Sequence, residues 1–185
     1  MDLKHILLDI GSRYDIDTQE LFKLYMNVSE EKEPETEYVF CDGSSNQRSK
    51  ASFGVFFKDG DRRNIGKVLN IDNPTNNKAE LSAIWASLKL TDPDKPLIIY
   101  SDSTYSINCL TKWYKNWMKN GWKTAKGEDV LNKNLIKKIL KLLENRDVKF
   151  KHVRAHKTAP TNKNSHEYFL WYGNHVADFL AQNAS

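Results

Sequence analysis

From residue 38 onward the apolar positions alternate between two patterns: short β-rich runs, and longer stretches in which apolar residues recur every three or four positions. The runs YVFC, SFGVFF and KVLNI come first, with the turn KDGDRRN, marked by Asp59 and Gly60, between the second and third. They predict a three-stranded antiparallel meander. Residues 75–90 then place Leu81, Ile84, Trp85 and Leu88 on one stripe, with Asn77 three positions before Glu80 in the manner of a cap. A helix is expected there, with Glu80 in its first turn. LIIYSD is a second buried-type strand, and a helix is expected from about Ser103. A second, lysine-rich helix should carry Trp113, Tyr114, Trp117 and Trp122, and another from about 129 to 145 aligns Val130, Leu135, Ile139 and Leu142. DVKFKHV alternates as a fifth strand, a polar segment runs from 154 to 167, and a last helix is expected from about Gly173, with Val176, Phe179 and Leu180. The order βββαβα…αβα predicts an α/β domain with a five-stranded mixed sheet flanked by helices, strands one to three antiparallel.

Upstream, Leu3, Ile6, Leu7 and Ile10 fall at helical spacing, and Asp17 with Glu20 forms a capping-box signature before Leu21, Leu24, Tyr25 and Val28. Residues 1–28 therefore read as a small helical hairpin. Residues 29–37 (SEEKEPETE) are acidic, free of apolar side chains and contain a proline, so they read as a flexible linker. The main domain is expected over 38–185.

Composition adds boundaries. Hydrophobic and charged fractions of 39% and 28% in 185 residues are those of a soluble domain with a proper core. No apolar run approaches bilayer length, and the acidic residues of the N-terminal stretch are unlike those of signal or transit peptides. Cys41 and Cys109 sit in apolar segments as packed thiols, which points to a reducing intracellular compartment, cytoplasm or nucleus, and a monomer is expected. The net charge of +4 hides an asymmetry: residues 1–37 hold ten acidic and four basic side chains, a net of −6, leaving +10 on the remainder. Within 103–126, Lys112, Lys115, Lys119, Lys123 and Lys126 meet no acid. That field suits a polyanion.

Two buried-type strands end near aspartates, Asp42 and Asp102, and a carboxylate at the end of such a strand needs a cation or a basic partner. Taken with DGS at 42–44, TNNKAEL at 75–81, YSDS at 100–103, KWYKNWMKNGWKTA at 112–125, His156 and GNHVADFLA at 173–181, the sequence from about residue 38 to the end resembles type 1 ribonuclease H. The resemblance implies the ribonuclease H-like fold and hydrolysis of the RNA strand of RNA/DNA hybrids by two Mg²⁺ ions, with Mn²⁺ as an alternative, leaving 5′-phosphate and 3′-hydroxyl ends. It further implies that Asp42 bridges both ions, that Glu80 and Asp102 hold the ion on the leaving-group side, that Asp178 holds the ion that activates water, and that His156 assists proton movement or product release. Four hard oxygen ligands suit that chemistry, and four clustered carboxylates would repel strongly without cations.

The same resemblance implies substrate contacts. Asn76 and Asn77, with Asn46, match groups that read the RNA strand, whose 2′-hydroxyls suit amide side chains. Thr75, Lys123, Thr124 and Asn132 match groups on DNA-strand phosphates, Tyr105 and Trp113 a channel for the DNA sugars, and Gly43, Ser44 and Asn174 complete the set. Trp117 and Trp122 read as packing residues. There are departures. The histidine stands 22 residues before Asp178 where relatives have about ten, which makes His166 and His175 rivals to His156, and Asn73 replaces an arginine that some relatives carry, implying a weaker phosphate pocket. A non-catalytic hybrid-binding module and a DNA-cutting relative of the same fold, such as a resolvase or integrase, are the alternatives. Four carboxylates argue against the first, and TNN with the basic protrusion against the second. Residues 1–28, carrying acidic charge, are expected to dock a protein partner.

Overall fold

The computed structural model describes residues 17, 19–20, 35–46, 50–155 and 157–184. The chain divides into two units, 1–35 and 36–185. The expected hairpin lies outside the described residues, apart from the start of its second half, where the Gln19 amide donates to Asp17 Oδ1 at 2.8 Å. Most of the acidic linker lies outside them as well.

The second unit is built on one five-stranded sheet in the order β3-β2-β1-β4-β5. β1 (Glu37–Ser45) pairs antiparallel with β2 (Ala51–Phe56), which pairs antiparallel with β3 (Ile65–Leu69). On its other side β1 runs parallel to β4 (Leu97–Ser101), and β4 parallel to β5 (Val148–His152). The mixed sheet is the one the element order predicts. β1 lies at its centre, which is why its side chains are apolar on both faces. Alternation sends Val39 and Cys41 into a core with Leu81, Ile84 and Leu88 of α1 (Asn76–Leu90) and Ile136 and Ile139 of α4 (Lys133–Leu143), while Phe40 enters a second core with Phe56, Tyr100 and Ala177. Ala177 belongs to α5 (His166–Gln182), whose backbone comes so close to β2 that a Cβ at Gly54 would strike the carbonyl oxygen of Ala177.

Several expectations need correction. β1 does not stop at Asp42 but continues to Ser45, because β2 still pairs with it there after the β4 side has ended at Phe40 opposite Tyr100. The cap of α1 is Thr75, not Asn77: Thr75 Oγ1 accepts from the Lys78 amide at 3.3 Å, so Glu80 is the fifth residue of the helix and lies beyond its first turn. The lysine-rich region is one helical run, α2 (Thr104–Asn108) passing through a π-helical turn (Cys109–Trp113) into α3 (Tyr114–Lys119). Trp122 is not on it. Gly121 and Trp122 both take left-handed φ, 70° and 63°, and the Trp122 amide caps the helix end by donating to the Trp117 carbonyl at 2.6 Å. α4 is also shorter than expected, entered through Asn132 at φ 60°.

The largest correction is α5. It begins at His166, seven residues before the expected Gly173, capped by Ser165 Oγ accepting from the Tyr168 amide at 3.1 Å. The added turns contain YFLWY, apolar on every side and so without a readable stripe. Phe169 packs edge-on against Phe40 at 5.2 Å and Tyr172 against Phe56 at 5.9 Å, which anchors the extension to the sheet.

Candidate active site

The register of β1 on β4 explains why two aspartates meet. Phe40 stands opposite Tyr100, so Asp42 on β1 and Asp102, the residue just past β4, each follow by two residues and come to the same end of the sheet. Glu80 arrives from α1 because Gly43 has no side chain: a Cβ there would collide with the backbone of Ala79 and Glu80. Oxygen atoms of Asp42, Glu80 and Asp102 lie within 4.8 Å of one another. Asp42 and Glu80 are 6% and 5% exposed, which is rare for carboxylates that no cation accompanies.

Burial, then the neighbouring carboxylates, holds both well above the ordinary carboxylate range: Asp102 and Asp178 push on Asp42, and Asp42 and Asp102 on Glu80. Hydrogen bonds relieve this only in part. The Gly43 amide donates to Asp42 Oδ1 at 2.7 Å and Asn76 Nδ2 to Glu80 Oε1 at 3.3 Å, while Glu80 Oε2 is buried with no partner. An orphaned carboxylate oxygen beside two further carboxylates fits a hard divalent cation, for which oxygen is the preferred donor. Asp178, on α5, shares a cavity of about 50 Å³ with Asp42 and Asp102 and accepts from Gln182 Nε2 at 2.6 Å. It stands outside the tight trio.

Asn174 lines the same cavity and has a buried Oδ1 without a partner, which marks it as a polar group aimed into the site. His156 lies outside the described residues. Of its rivals, His175 lines the cavity and stacks on Trp171 at 5.1 Å, whereas His166 stacks on Phe169 at 5.8 Å and is absent from the cavity wall. A histidine that the sequence reading passed over is His152, the last residue of β5, whose Nε2 lies 3.1 Å from the Asp102 carbonyl oxygen. Nothing in the spacing marked it, because its nearness to Asp102 depends on β5 pairing with β4.

The other candidates separate into those left available and those occupied. Asn77 is exposed, while Thr75 caps α1 and Asn76 holds Glu80. Asn46 closes the β1–β2 turn, its Oδ1 accepting from the Lys50 amide at 2.9 Å. Ser44 lies on β1 opposite Ser52. Tyr105 and Trp113 meet edge-to-face at 6.0 Å, and Tyr105 accepts from Asn132 Nδ2 at 3.2 Å, so three of the expected DNA-side residues form one group. Lys123 pairs with Asp129 at 3.1 Å, an exposed contact that competes weakly with phosphate. Thr124 Oγ1 is buried without a partner. Lys112, Lys115, Lys119 and Lys126 are exposed.

Residues 34–185 match the family model described as RNase H. The chain is similar to Ribonuclease H of Schizosaccharomyces pombe, 37% identical over 175 residues that make up 91% of this chain and 61% of that protein. It is similar also to Ribonuclease H1 of Homo sapiens, 31% identical over 78% of this chain and 47% of that protein. The chain thus spans about half to three fifths of these relatives. Among solved structures it is similar to LC9-RNase H1, a type 1 RNase H with the type 2 active-site motif, at TM-score 0.57 and 20% identity over 83% of this chain and 75% of that one. It is similar too to a foamy viral protease-reverse transcriptase in complex with RNA/DNA hybrid, at TM-score 0.59 and 19% identity over 79% of this chain and 19% of that one. At these identities the structural likeness concerns the fold.

Proposed function

This chain belongs to the ribonuclease H family, and from that premise we propose that it is an endonuclease that hydrolyses the RNA strand of RNA/DNA hybrids, with two bound Mg²⁺ ions, leaving 5′-phosphate and 3′-hydroxyl ends. The observation that carries the reading is the trio Asp42, Glu80 and Asp102, with ligand oxygens within 4.8 Å and one buried oxygen unpartnered. Asp42, Glu80 and Asp102 would hold one ion, and Asp42 with Asp178 the other. Bound there, such ions stabilise charge on the attacking and leaving oxygens and lower the pKa of water. Mn²⁺ satisfies the same oxygen donors.

The chain's own residues do the rest. Asn77 and Asn76 stand at the start of α1 where a 2′-hydroxyl can be met as donor and acceptor. Tyr105, Trp113 and Asn132 form the face for the opposite strand, and the exposed lysines of α3 and the following loop supply attraction to phosphate irrespective of sequence. His156 moves protons on the leaving side. Residues 1–28 dock a protein partner through the linker at 29–37, and the body at 38–185 works as a monomer.

The test is cleavage of end-labelled RNA/DNA hybrid, RNA/RNA and DNA/DNA in Mg²⁺, Mn²⁺ and chelator. Cleavage confined to the hybrid's RNA strand and abolished by chelator is expected. Binding without cleavage would leave a hybrid-binding module, and cutting of DNA/DNA would move the chain to a different activity.

A further inference from the structure

Arg154, Lys157 and α5 form a second wall of the cleft, and it brings basic side chains to the carboxylates. Arg154 and Lys157 line the carboxylate cavity together with Asp42, Asp102 and Asp178. Both are exposed, and neither forms an ion pair among the described residues. They also border an adjoining cavity of about 500 Å³, closed on one side by α5 and on the other by the segment through Pro160. The segment is pinned: Trp171 Nε1 donates to the Lys157 carbonyl oxygen at 2.9 Å, and the Trp171 ring is itself held by stacking on His175. Only the extension of α5 to His166 puts Trp171 on a helix where it can do this.

Two cations that line one cavity with three carboxylates, and form no ion pair among the described residues, are not neutralising the acids in this arrangement. They are placed for an anion that arrives between them. We propose that Arg154 and Lys157 form a subsite for a phosphate of the RNA strand adjoining the scissile one, with Trp171 as the positioning residue that fixes Lys157. The proposal rests on the reading of the chain as a nuclease acting on hybrids. The chemistry follows from charge and shape: guanidinium and ammonium at the rim of the metal-ligand cluster attract the singly charged phosphodiesters of the backbone, and the adjoining cavity gives the strand a path away from the cut. The subsite is distinct from the DNA-strand group around Tyr105 and Asn132, which lies on other elements.

The experiment uses the full chain carrying Asp102→Asn to block cleavage, and measures binding of hybrids in which single RNA-strand phosphates are replaced by neutral methylphosphonates. Without further change, one replacement adjoining the cut should weaken binding about tenfold. With Arg154→Ala and Lys157→Ala added, binding to unmodified hybrid should fall by a similar factor, the salt slope should drop by about one per lost phosphate contact, and the same replacement should have no further effect. Melting temperature should be unchanged, since both side chains are exposed. Trp171→Phe, which keeps a ring but loses the N–H, should raise KM several-fold with kcat nearly constant in the cleaving protein. If the neutral phosphate costs the double variant as much as the parent, the subsite is wrong although the nuclease reading stands. If hybrids are neither bound nor cut by the unmodified chain, both fall together.

Discussion

The cleft has two sides, and they are made differently. On the β1–α1 side, Asp42 and Glu80 are buried, Gly43 admits the helix backbone at a distance no other residue would allow, and an orphaned carboxylate oxygen faces inward. On the β5–α5 side, Arg154, Lys157 and His175 are exposed, and Asp178 is partly open with its carboxylate leaning on Gln182. The first side holds charge where charge is costly, so its geometry is fixed by the sheet and cannot vary. On the second side only the rim is solvated, so substitution of its exposed side chains leaves the packing of α5 on the sheet intact. Asp42 and Glu80 thus stand on a buried framework, while Asp178 reaches the same cavity from the open side.

The largest expected effect breaks the first side. Asp102→Asn keeps shape and removes a ligand charge, so cleavage of hybrid should fall by at least about a hundredfold, as for loss of a main electrostatic contributor. Hybrid affinity should remain within a few-fold, because the lysines and amides proposed to grip the duplex are elsewhere. Turnover within tenfold of the parent would show that the trio is not the metal centre.

A smaller effect is expected from the histidines. His156→Ala should slow turnover by roughly ten- to a thousandfold without eliminating it, the span of a group that assists proton transfer. His175→Ala, on the cavity wall but stacked on Trp171, should change kcat by less than about threefold, a factor too small for loss of a proton-transfer group. The reverse ranking would mean that the lengthened segment has handed the role to α5.

The contrast between the two sides also explains what could be read from sequence. The strands and α1 were legible because each has clean periodicity: Val39 and Cys41 against Phe40, or Leu81, Ile84 and Leu88. The start of α5 was not, because Tyr168 to Tyr172 are apolar at every position and their contacts with Phe40 and Phe56 are nonlocal. Trp122 was misplaced because a tryptophan in left-handed conformation is stabilised by tertiary packing and a helix-end hydrogen bond, neither visible in spacing. Asn77 took the place of Thr75 as cap because both fit the composition rule and only backbone geometry separates them. His152 was hidden by its reading as an ordinary strand residue. Its contact with the Asp102 carbonyl oxygen depends on β5 lying beside β4.

The buried side should also show itself in stability without metal. Asp42 and Glu80 have folded-state pKa values raised above unfolded values near 4, so the folded protein holds more protons above that pH. Their contribution is fully favourable below about pH 4 and is lost as pH rises through the raised values. Metal-free protein should therefore melt lower at pH 8 than at pH 5 relative to Glu80→Gln, and Mg²⁺ should recover more at pH 8. Each kcal/mol removed corresponds to about 2–4 °C at this size. A Glu80→Gln difference that does not change with pH would mean the carboxyl is not carrying the burial cost.

The smallest effect is expected from removing residues 1–35, since both sides of the cleft are built from the second unit. Ten of the chain's 24 acidic side chains lie within residues 1–37, and only Glu37 of those ten, paired with Arg63 at 2.7 Å, is tied into the sheet domain by an ion pair among the described residues. An acidic segment brought within a Debye length, about 8 Å at physiological salt, would oppose a polyanion, so it should contribute nothing to hybrid affinity. Deletion is expected to leave Kd for hybrid unchanged or slightly lower, with a lowering that disappears above about 0.5 M salt as screening removes the repulsion. Melting temperature should shift by less than about 5 °C, since a larger fall would correspond to more than 1 kcal/mol of packing lost with the segment. A tenfold loss of hybrid affinity would place a nucleic-acid grip within residues 1–35, and the partner-docking assignment would then give way to a second substrate-binding unit.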